Sequence, residues 1–188
     1  MRLRNALAAA LAGLTLVPAA VLAATIGGTN YAPQYDFSEF FAASDRKSFQ
    51  VTLAGTAFPG VDPGAVARDL LPMLQAAKPR PALTFTYDKA NEQARPNYRL
   101  VLVFDAANDL GSAAVCNGAV RTQPGKPGVL KIYAVYCRND LALSETTAWT
   151  PASGPADPRV ASLFRELLPV VFSDAPELRP QRGGSSRP

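Results

Sequence analysis

The sequence predicts a single α+β domain with a mainly antiparallel sheet of five to six strands and two helices packed on one face. Three observations predict this class. Six short segments have the alternation or the β-branched apolar content of strands. Two Asp-Pro pairs each begin a stretch with apolar residues at helical spacing. The chain of 188 residues has the length of one domain, which we place at residues 47–173.

The first 23 residues have the layout of a secretory signal peptide. Arg2 and Arg4 give a positively charged start, and an uncharged, alanine-rich stretch follows over residues 6–22. Val21 and Ala23 are small residues at the positions that a signal peptidase reads before a cut after Ala23. We therefore expect residues 1–23 to be cleaved and the protein to be periplasmic or secreted.

Cleavage there has two consequences for the mature chain, which would begin at Ala24. The loss of Arg2 and Arg4 lowers the formal net charge from +4 to +2. The remaining basic residues are scattered rather than clustered in a stripe, so we expect no nucleic-acid partner. Gly13 and Pro18 interrupt the apolar stretch, which argues against an uncleaved membrane anchor, so we expect no integral membrane segment after cleavage.

Residues 24–46 are predicted to form an N-terminal arm that begins flexible and then becomes aromatic. Three of its rings have helical spacing, so one turn of helix would place them on one face. Either the rings cover a sheet edge or fill a groove of their own domain, or they form an exposed docking patch. The candidate partner-binding residues are Tyr35, Phe37, Phe40 and Phe41.

The next elements are a strand and a helix. Residues 48–53 alternate between apolar and polar side chains, which is typical of a half-buried strand. Asp62 and Pro63 then predict a helix start, because the carboxylate accepts hydrogen bonds from free amides and proline has no N–H to lose there. We expect this helix to kink or break at Pro72 and to end before Lys78.

Five further strands are predicted, and residues 98–104 are almost continuously apolar, which indicates a central strand covered on both faces. The five are residues 83–87, 98–104, 115–120, 129–137 and 141–149.

A second helix is predicted to begin at Asp157 and Pro158. Its apolar stripe consists of Val160, Leu163, Phe164, Leu167 and Val171. Residues 174–188 are rich in proline, glycine and serine, and we expect a disordered tail.

The two cysteines predict a disulfide, because export would place both thiols in an oxidising compartment. In an antiparallel hairpin that pairs Cys116 with Cys137, the centre falls between Lys126 and Pro127, within the turn-prone stretch 123–128. We therefore predict a disulfide across a β-hairpin. Two buried thiols on different strands are the alternative.

The chain contains no histidine. This excludes Ser-His-Asp and Cys-His nucleophiles and histidine-ligated metals, and we expect no cofactor, no metal and no catalytic residue of recognisable type. The loop 105–111 has its oxygen-bearing side chains at positions 1, 4 and 5, which differs from the spacing of a calcium loop. Asp140 and Glu145 flank a predicted strand and are either the carboxylates of a histidine-free hydrolase or a solvated strand edge.

The order of elements resembles small, uncharacterised bacterial envelope domains of the periplasmic lipoprotein type. The matching features are Tyr35-Asp36-Phe37-Ser38, the strand 98–104, and the strand pair 129–136 and 141–149. The resemblance implies an α+β fold and assigns no functional residue. The chain differs from those lipoproteins because it has no cysteine near the predicted cleavage site.

The function that these observations favour is an exported, non-catalytic envelope module that binds a protein or a cell-wall partner. Two alternatives stay open: a carboxylate-based periplasmic hydrolase, and a carrier or inhibitor of a small apolar ligand. A hydrolase should have a deep cleft with two converging acids, whereas a binding module should have a flat or edge-strand aromatic surface.

Overall fold

The computed structural model describes residues 24–88 and 97–178, so the predicted signal peptide lies outside the described residues. Six strands form one open sheet, and the predicted α+β class is confirmed. The strands are β1 (Thr25–Tyr31), β2 (Ser48–Ala54), β3 (Thr84–Thr86), β4 (Tyr98–Phe104), β5 (Val129–Arg138) and β6 (Leu141–Pro151).

The sheet is mixed, with the strand order β1-β6-β5-β4-β2-β3. The first four strands in this order pair antiparallel. The pairs β4–β2 and β2–β3 are parallel, and the helix over residues 63–77 carries the chain from one end of the sheet to the other between β2 and β3.

Four helices accompany the sheet: α1 (Phe37–Ser44), α2 (Pro63–Ala77), α3 (Ser112–Cys116) and α4 (Pro158–Val171). Both predicted Asp-Pro starts are confirmed. The Asp62 carboxylate accepts from the Ala65 amide at 2.8 Å, and that of Asp157 accepts from the Arg159 amide at 3.0 Å. Of the kink or break predicted at Pro72, the break is wrong: α2 continues past this residue to Ala77, and Pro72 lies on the exposed side of the helix.

The sheet has two differently covered faces. Helices α1, α2 and α4 pack on one face against a large core, which places one helix more there than predicted. The other face carries α3, which covers a smaller cluster that includes Val101 and Val103. Leu100 and Leu102 point to the large core, so β4 is buried on both faces as predicted.

The structure differs from the expected elements at three places. The start of the predicted arm is β1, which pairs with β6 instead of being flexible. Residues 115–120 are not a strand: Val115 and Cys116 end α3, so the predicted hairpin is wrong and β5 forms its hairpin with β6. The first residues of the predicted tail form a 3-10 turn, Pro176–Leu178, with Leu178 packed against the core, and residues 179–188 lie outside the described residues.

Within residues 24–88 and 97–178, no helix combines the length and the apolar content needed to cross a lipid bilayer.

Candidate functional site: an open groove on the sheet

The candidate site lies on the face of the sheet that α3 covers only in part. Side chains alternate along a strand, so every second residue of β5 and β6 points to this face. The register pairs Lys131 with Trp149, Tyr133 with Thr147, and Val135 with Glu145. We call the surface formed by Lys131, Tyr133, Glu145, Thr147 and Trp149 the open face.

Trp149 is the only tryptophan of the chain, and 39% of its surface is exposed. Its neighbours Ala148 and Thr150 are buried on the helix-covered face, so the indole is held on the open face. Gly27 of β1 lies beside it: a Cβ there would collide with Oγ1 of Thr147 and approach Cζ3 of Trp149 to 3.3 Å. The missing side chain of Gly27 therefore makes room first for the Thr147 hydroxyl and then for the indole.

A polar cluster around Glu145 lies on the same face of β6, four residues before Trp149. The Tyr133 hydroxyl donates to Glu145 Oε2, and the Asn30 amide donates to Oε1 at 3.4 Å. Burial, reinforced by the neighbouring carboxylate, raises the pKa of Tyr133 above its ordinary value. The phenol therefore stays a donor at neutral pH and fixes the orientation of Glu145.

Asp105 lies at the other end of the groove, directly after β4. Its amide donates to the Lys131 carbonyl at 3.2 Å, and its carbonyl accepts from the Gln123 amide at 2.8 Å. The residue is only 7% exposed, and among the described residues its carboxylate has no hydrogen-bond or ion-pair partner. Burial raises the pKa of this carboxyl, and the charge of Lys131 opposes the shift.

Two clefts make up the groove. The first has a volume of about 430 Å³ and is lined by Asn30, Leu110, Tyr133, Glu145 and Thr147, among others. The second, of about 470 Å³, is lined by Asp105, Gln123, Lys126 and Trp149, among others. Lys131 lines both clefts, so they adjoin and form one groove across the sheet.

A disulfide fastens α3 to the sheet beside the groove. Cys116 at the end of α3 is bonded to Cys137 of β5, with Cα atoms 5.6 Å apart. The predicted pair is thus present, although it joins a helix to a strand. The Arg99 guanidinium donates to the carbonyls of Cys116 and, at 2.9 Å, of Asn139, which ties the same helix end to the β5–β6 turn.

The four aromatic residues of the arm do not form one exposed patch. Tyr35 and Phe40 are 2% and 0% exposed, and Phe40 stacks on Phe172 with ring centroids 4.3 Å apart. Phe37 is half-buried against the core, whereas Phe41 is 43% exposed. The rings therefore mostly fill their own domain, and Phe41 alone is largely at the surface.

The carboxylates considered for hydrolysis do not converge. Asp140 lies in the turn before β6, and the first residue of that strand, Leu141, is already about 13 Å from Glu145 along the backbone at the rise of a β-strand. Asp105 and Glu145 lie beside Lys131 and Val135, which are also about 13 Å apart along β5. Paired glycosidase carboxyl groups are about 5 to 9.5 Å apart.

Sequence reasoning missed Trp149 and Asp105. The signals were present: Trp149 alternates with Ala148 and Thr150 in a predicted strand, and Asp105 directly follows the most apolar strand of the chain. An aromatic ring on the polar side of a strand and an acid at the end of a buried strand are both typical of binding sites.

Comparison with known proteins assigns no family to this chain. No family model and no curated protein matches this chain. Among solved structures, the chain is similar to two crystal forms of the PelC dodecamer from Paraburkholderia phytofirmans. Both matches have 15% sequence identity and a TM-score of 0.43, and they cover 79% of this chain and 98% and 96% of the other. A similarity at this level carries no information about the groove.

Proposed function

We propose that this protein is an exported, non-catalytic module of the cell envelope that holds a cell-wall glycan in the groove of the open face. The observation that carries the proposal is Trp149, an indole with 39% of its surface exposed that lines the groove beside Asp105 and Lys131. As part of the same proposal, we place the chain among envelope domains of the periplasmic lipoprotein type.

The chemistry of the groove suits a sugar chain. A sugar ring presents a flat face of C–H groups, which packs on an indole, and a rim of hydroxyls that both donate and accept. Lys131 supplies a donor, Glu145 supplies acceptor oxygens, and the Thr147 hydroxyl supplies both. The combined volume of the two clefts leaves room for more than one sugar residue.

A protein partner fits the described surface less well. Protein interfaces are centred on a cluster of buried aromatic or apolar anchors. In the part of the chain that the structure describes, the exposed large hydrophobic side chains are Phe41 and Trp149. They lie on different elements, α1 and β6, so no exposed cluster of this kind unites them.

The two alternative functions have weaker support. A carrier of an apolar ligand needs an apolar cavity of about 300 Å³ or more. The apolar cavity beside Phe58, Val66 and Phe104 has a volume of about 90 Å³. A two-carboxylate hydrolase needs converging acids, and Asp105, Asp140 and Glu145 are too widely spaced along their strands.

Two features support export. The first 23 residues have signal-peptide character, and the two cysteines are joined in a disulfide, a bond that persists in oxidising compartments.

Co-sedimentation of the mature chain, residues 24–188, with purified insoluble cell wall tests the proposal. Trp149→Ala should lose most of the binding, whereas Phe41→Ala, a matched removal of an exposed aromatic ring, should sediment like the parent protein. Equal sedimentation of the Trp149→Ala variant and the parent would overturn the proposal. Loss of binding in Phe41→Ala alone would show that the arm is the docking surface.

A further inference from the structure

We propose that Asp105 is a specificity-determining residue that accepts hydrogen bonds from the hydroxyls of a sugar residue next to the one seated on Trp149. This inference rests on the proposed function and assigns a ligand chemistry to the second cleft. It begins from the state of the Asp105 carboxylate in the fold.

A carboxylate that lines a cleft without a protein partner accepts hydrogen bonds from water or from a ligand. Asp105 is only 7% exposed as a whole residue, its carboxylate oxygens stay open to the cleft, and no described residue donates to them. The side chain lines the second cleft together with Gln123 and Trp149. The carboxylate is therefore an acceptor that faces a space large enough for a ligand.

The backbone at Asp105 is held in an unfavourable conformation. Its φ of +47° lies in the left-handed region, which side chains with a Cβ rarely adopt and which Asp and Asn tolerate best. The backbone bonds to Lys131 and Gln123 keep the residue there. Such strain is concentrated at binding and catalytic sites, where it orients a functional group.

The loop above Asp105 leaves room for its carboxylate. Gly125 lies so close that a Cβ on it would collide with Oδ2 of Asp105. The φ of Gly125 is not in the left-handed region, so glycine is required by this close approach and not by the backbone conformation. A methyl group at Gly125 would displace the carboxylate without changing its charge.

The distance to Trp149 suits a short piece of sugar chain. Asp105, directly after β4, lies beside Lys131 of β5, and Lys131 in turn faces Trp149 of β6. Two strand spacings separate the outer residues by about 10 Å. A sugar residue stacked on the indole and the residue next to it bridge this span.

The charges around the cleft favour a neutral hydroxyl over an ammonium group as the donor. Lys126 and Lys131 line the same cleft as Asp105, so a cationic ligand would meet two ammonium groups beside one carboxylate. A hydroxyl donates to the carboxylate without adding charge, and its oxygen accepts from a lysine.

The test measures the affinity for the same insoluble cell wall in four variants of the mature chain. Asp105→Asn keeps the size of the side chain and tolerates the left-handed backbone, and we expect its affinity to fall roughly ten- to a hundredfold. Gly125→Ala should also weaken binding, because the added methyl group would displace the Asp105 carboxylate. The matched controls are Asp109→Asn, on the same loop but exposed and paired with Arg121, and Gly154→Ala, where a Cβ meets open space. Both controls should bind within about twofold of the parent, the usual scale of surface changes.

The outcomes separate this inference from the proposed function. If Asp105→Asn binds like the parent while Trp149→Ala does not bind, the role of Asp105 is wrong and the groove remains the site. If Trp149→Ala binds like the parent, the proposed function itself fails. Competition with a neutral N-acetylglucosamine tetramer and with its cationic, de-N-acetylated counterpart tests whether a hydroxyl or an ammonium group donates to Asp105. Stronger competition by the cationic tetramer would overturn the assignment of a hydroxyl.

Discussion

Lys131 and Trp149 face each other across the β5–β6 ladder, on the side of the sheet away from α2 and α4. Directly opposed residues of antiparallel strands have Cβ atoms about 5 Å apart, so an ammonium group and an exposed indole share one surface. The Lys131 carbonyl accepts from the Asp105 amide, which adds a carboxylate to the same row. A donor, an aromatic face and an acceptor thus line up across three strands.

The disulfide should stabilise the fold by holding α3 against β5. Reduction, or the double change Cys116→Ser with Cys137→Ser, should lower the free energy of unfolding by about 3 kcal/mol, because it frees a loop of this length in the unfolded chain. Urea denaturation with and without reductant measures the loss. Two reactive thiols per chain in the denatured, unreduced protein would show that the bond is not formed.

Asp105→Asn should raise or preserve the melting temperature at neutral pH while it weakens binding. The pKa of Asp105 is raised by burial, so its contribution to stability is fully present below the unfolded pKa and is lost as the pH rises through the folded pKa. The ionised carboxylate therefore costs stability at neutral pH, and a neutral amide removes that cost. Thermal unfolding at pH 7 checks this, and a markedly lower melting temperature would contradict it.

Asp157→Ala should destabilise the protein by about 1 kcal/mol at neutral pH, because α4 loses its N-cap. Hydrogen bonds from Arg159 lower the pKa of Asp157, so its stabilising contribution is present above the unfolded value near 3.8 and is lost as the pH falls through the folded value. Urea denaturation from pH 7 to pH 2 should show the difference from the parent shrinking below about pH 4.

The control is Asp157→Asn, which keeps a capping side chain without its charge. Its stability should lie between those of the parent and the alanine variant at pH 7. A difference between the parent and the alanine variant that grows on acidification would contradict the assignment.

Glu39→Gln should loosen α1 from the sheet. Glu39 accepts from the Arg138 guanidinium at 2.7 Å and from the Tyr98 hydroxyl, and both ionic side chains are about three-quarters buried. Removing the charge should lower the free energy of unfolding by about 1 to 2 kcal/mol in urea denaturation. Glu166→Gln, on the exposed side of α4, is the control and should change it by less than about 0.5 kcal/mol. Equal stabilities of the two variants would contradict this role of Glu39.

The sequence predicted the features that depend on local chemistry. Asp62 and Asp157 begin helices because capping needs only a carboxylate and the next few amides. The buried strand β4 shows itself through its apolar run. The disulfide was predicted from the oxidising compartment and the even number of cysteines. The prediction was wrong in placing Cys116 on a strand, because this residue ends α3.

The predictions that failed concern features that depend on contacts with distant parts of the chain. Helix α3 has five residues, too few for a helical period to show, and for that reason the sequence predicts a strand at Val115 and Cys116. Strand β1 contains Gly27 and Gly28 and has no clear alternation of apolar and polar residues. It forms a strand because its backbone pairs with the edge of β6. Alternation in β6 indicates two faces but not which one the helices cover, and for that reason Trp149 was missed.

The most direct test of the central claim uses the fluorescence of Trp149, which reports on the groove alone because the chain has no other tryptophan. Titration of the mature protein with soluble glycan fragments of the cell wall should give a saturable change in emission, shifted to shorter wavelength as sugar covers the indole. The change should weaken in Asp105→Asn and remain in Phe41→Ala. Emission that stays unchanged while the protein sediments with cell wall would contradict the claim, because binding would then occur away from the groove.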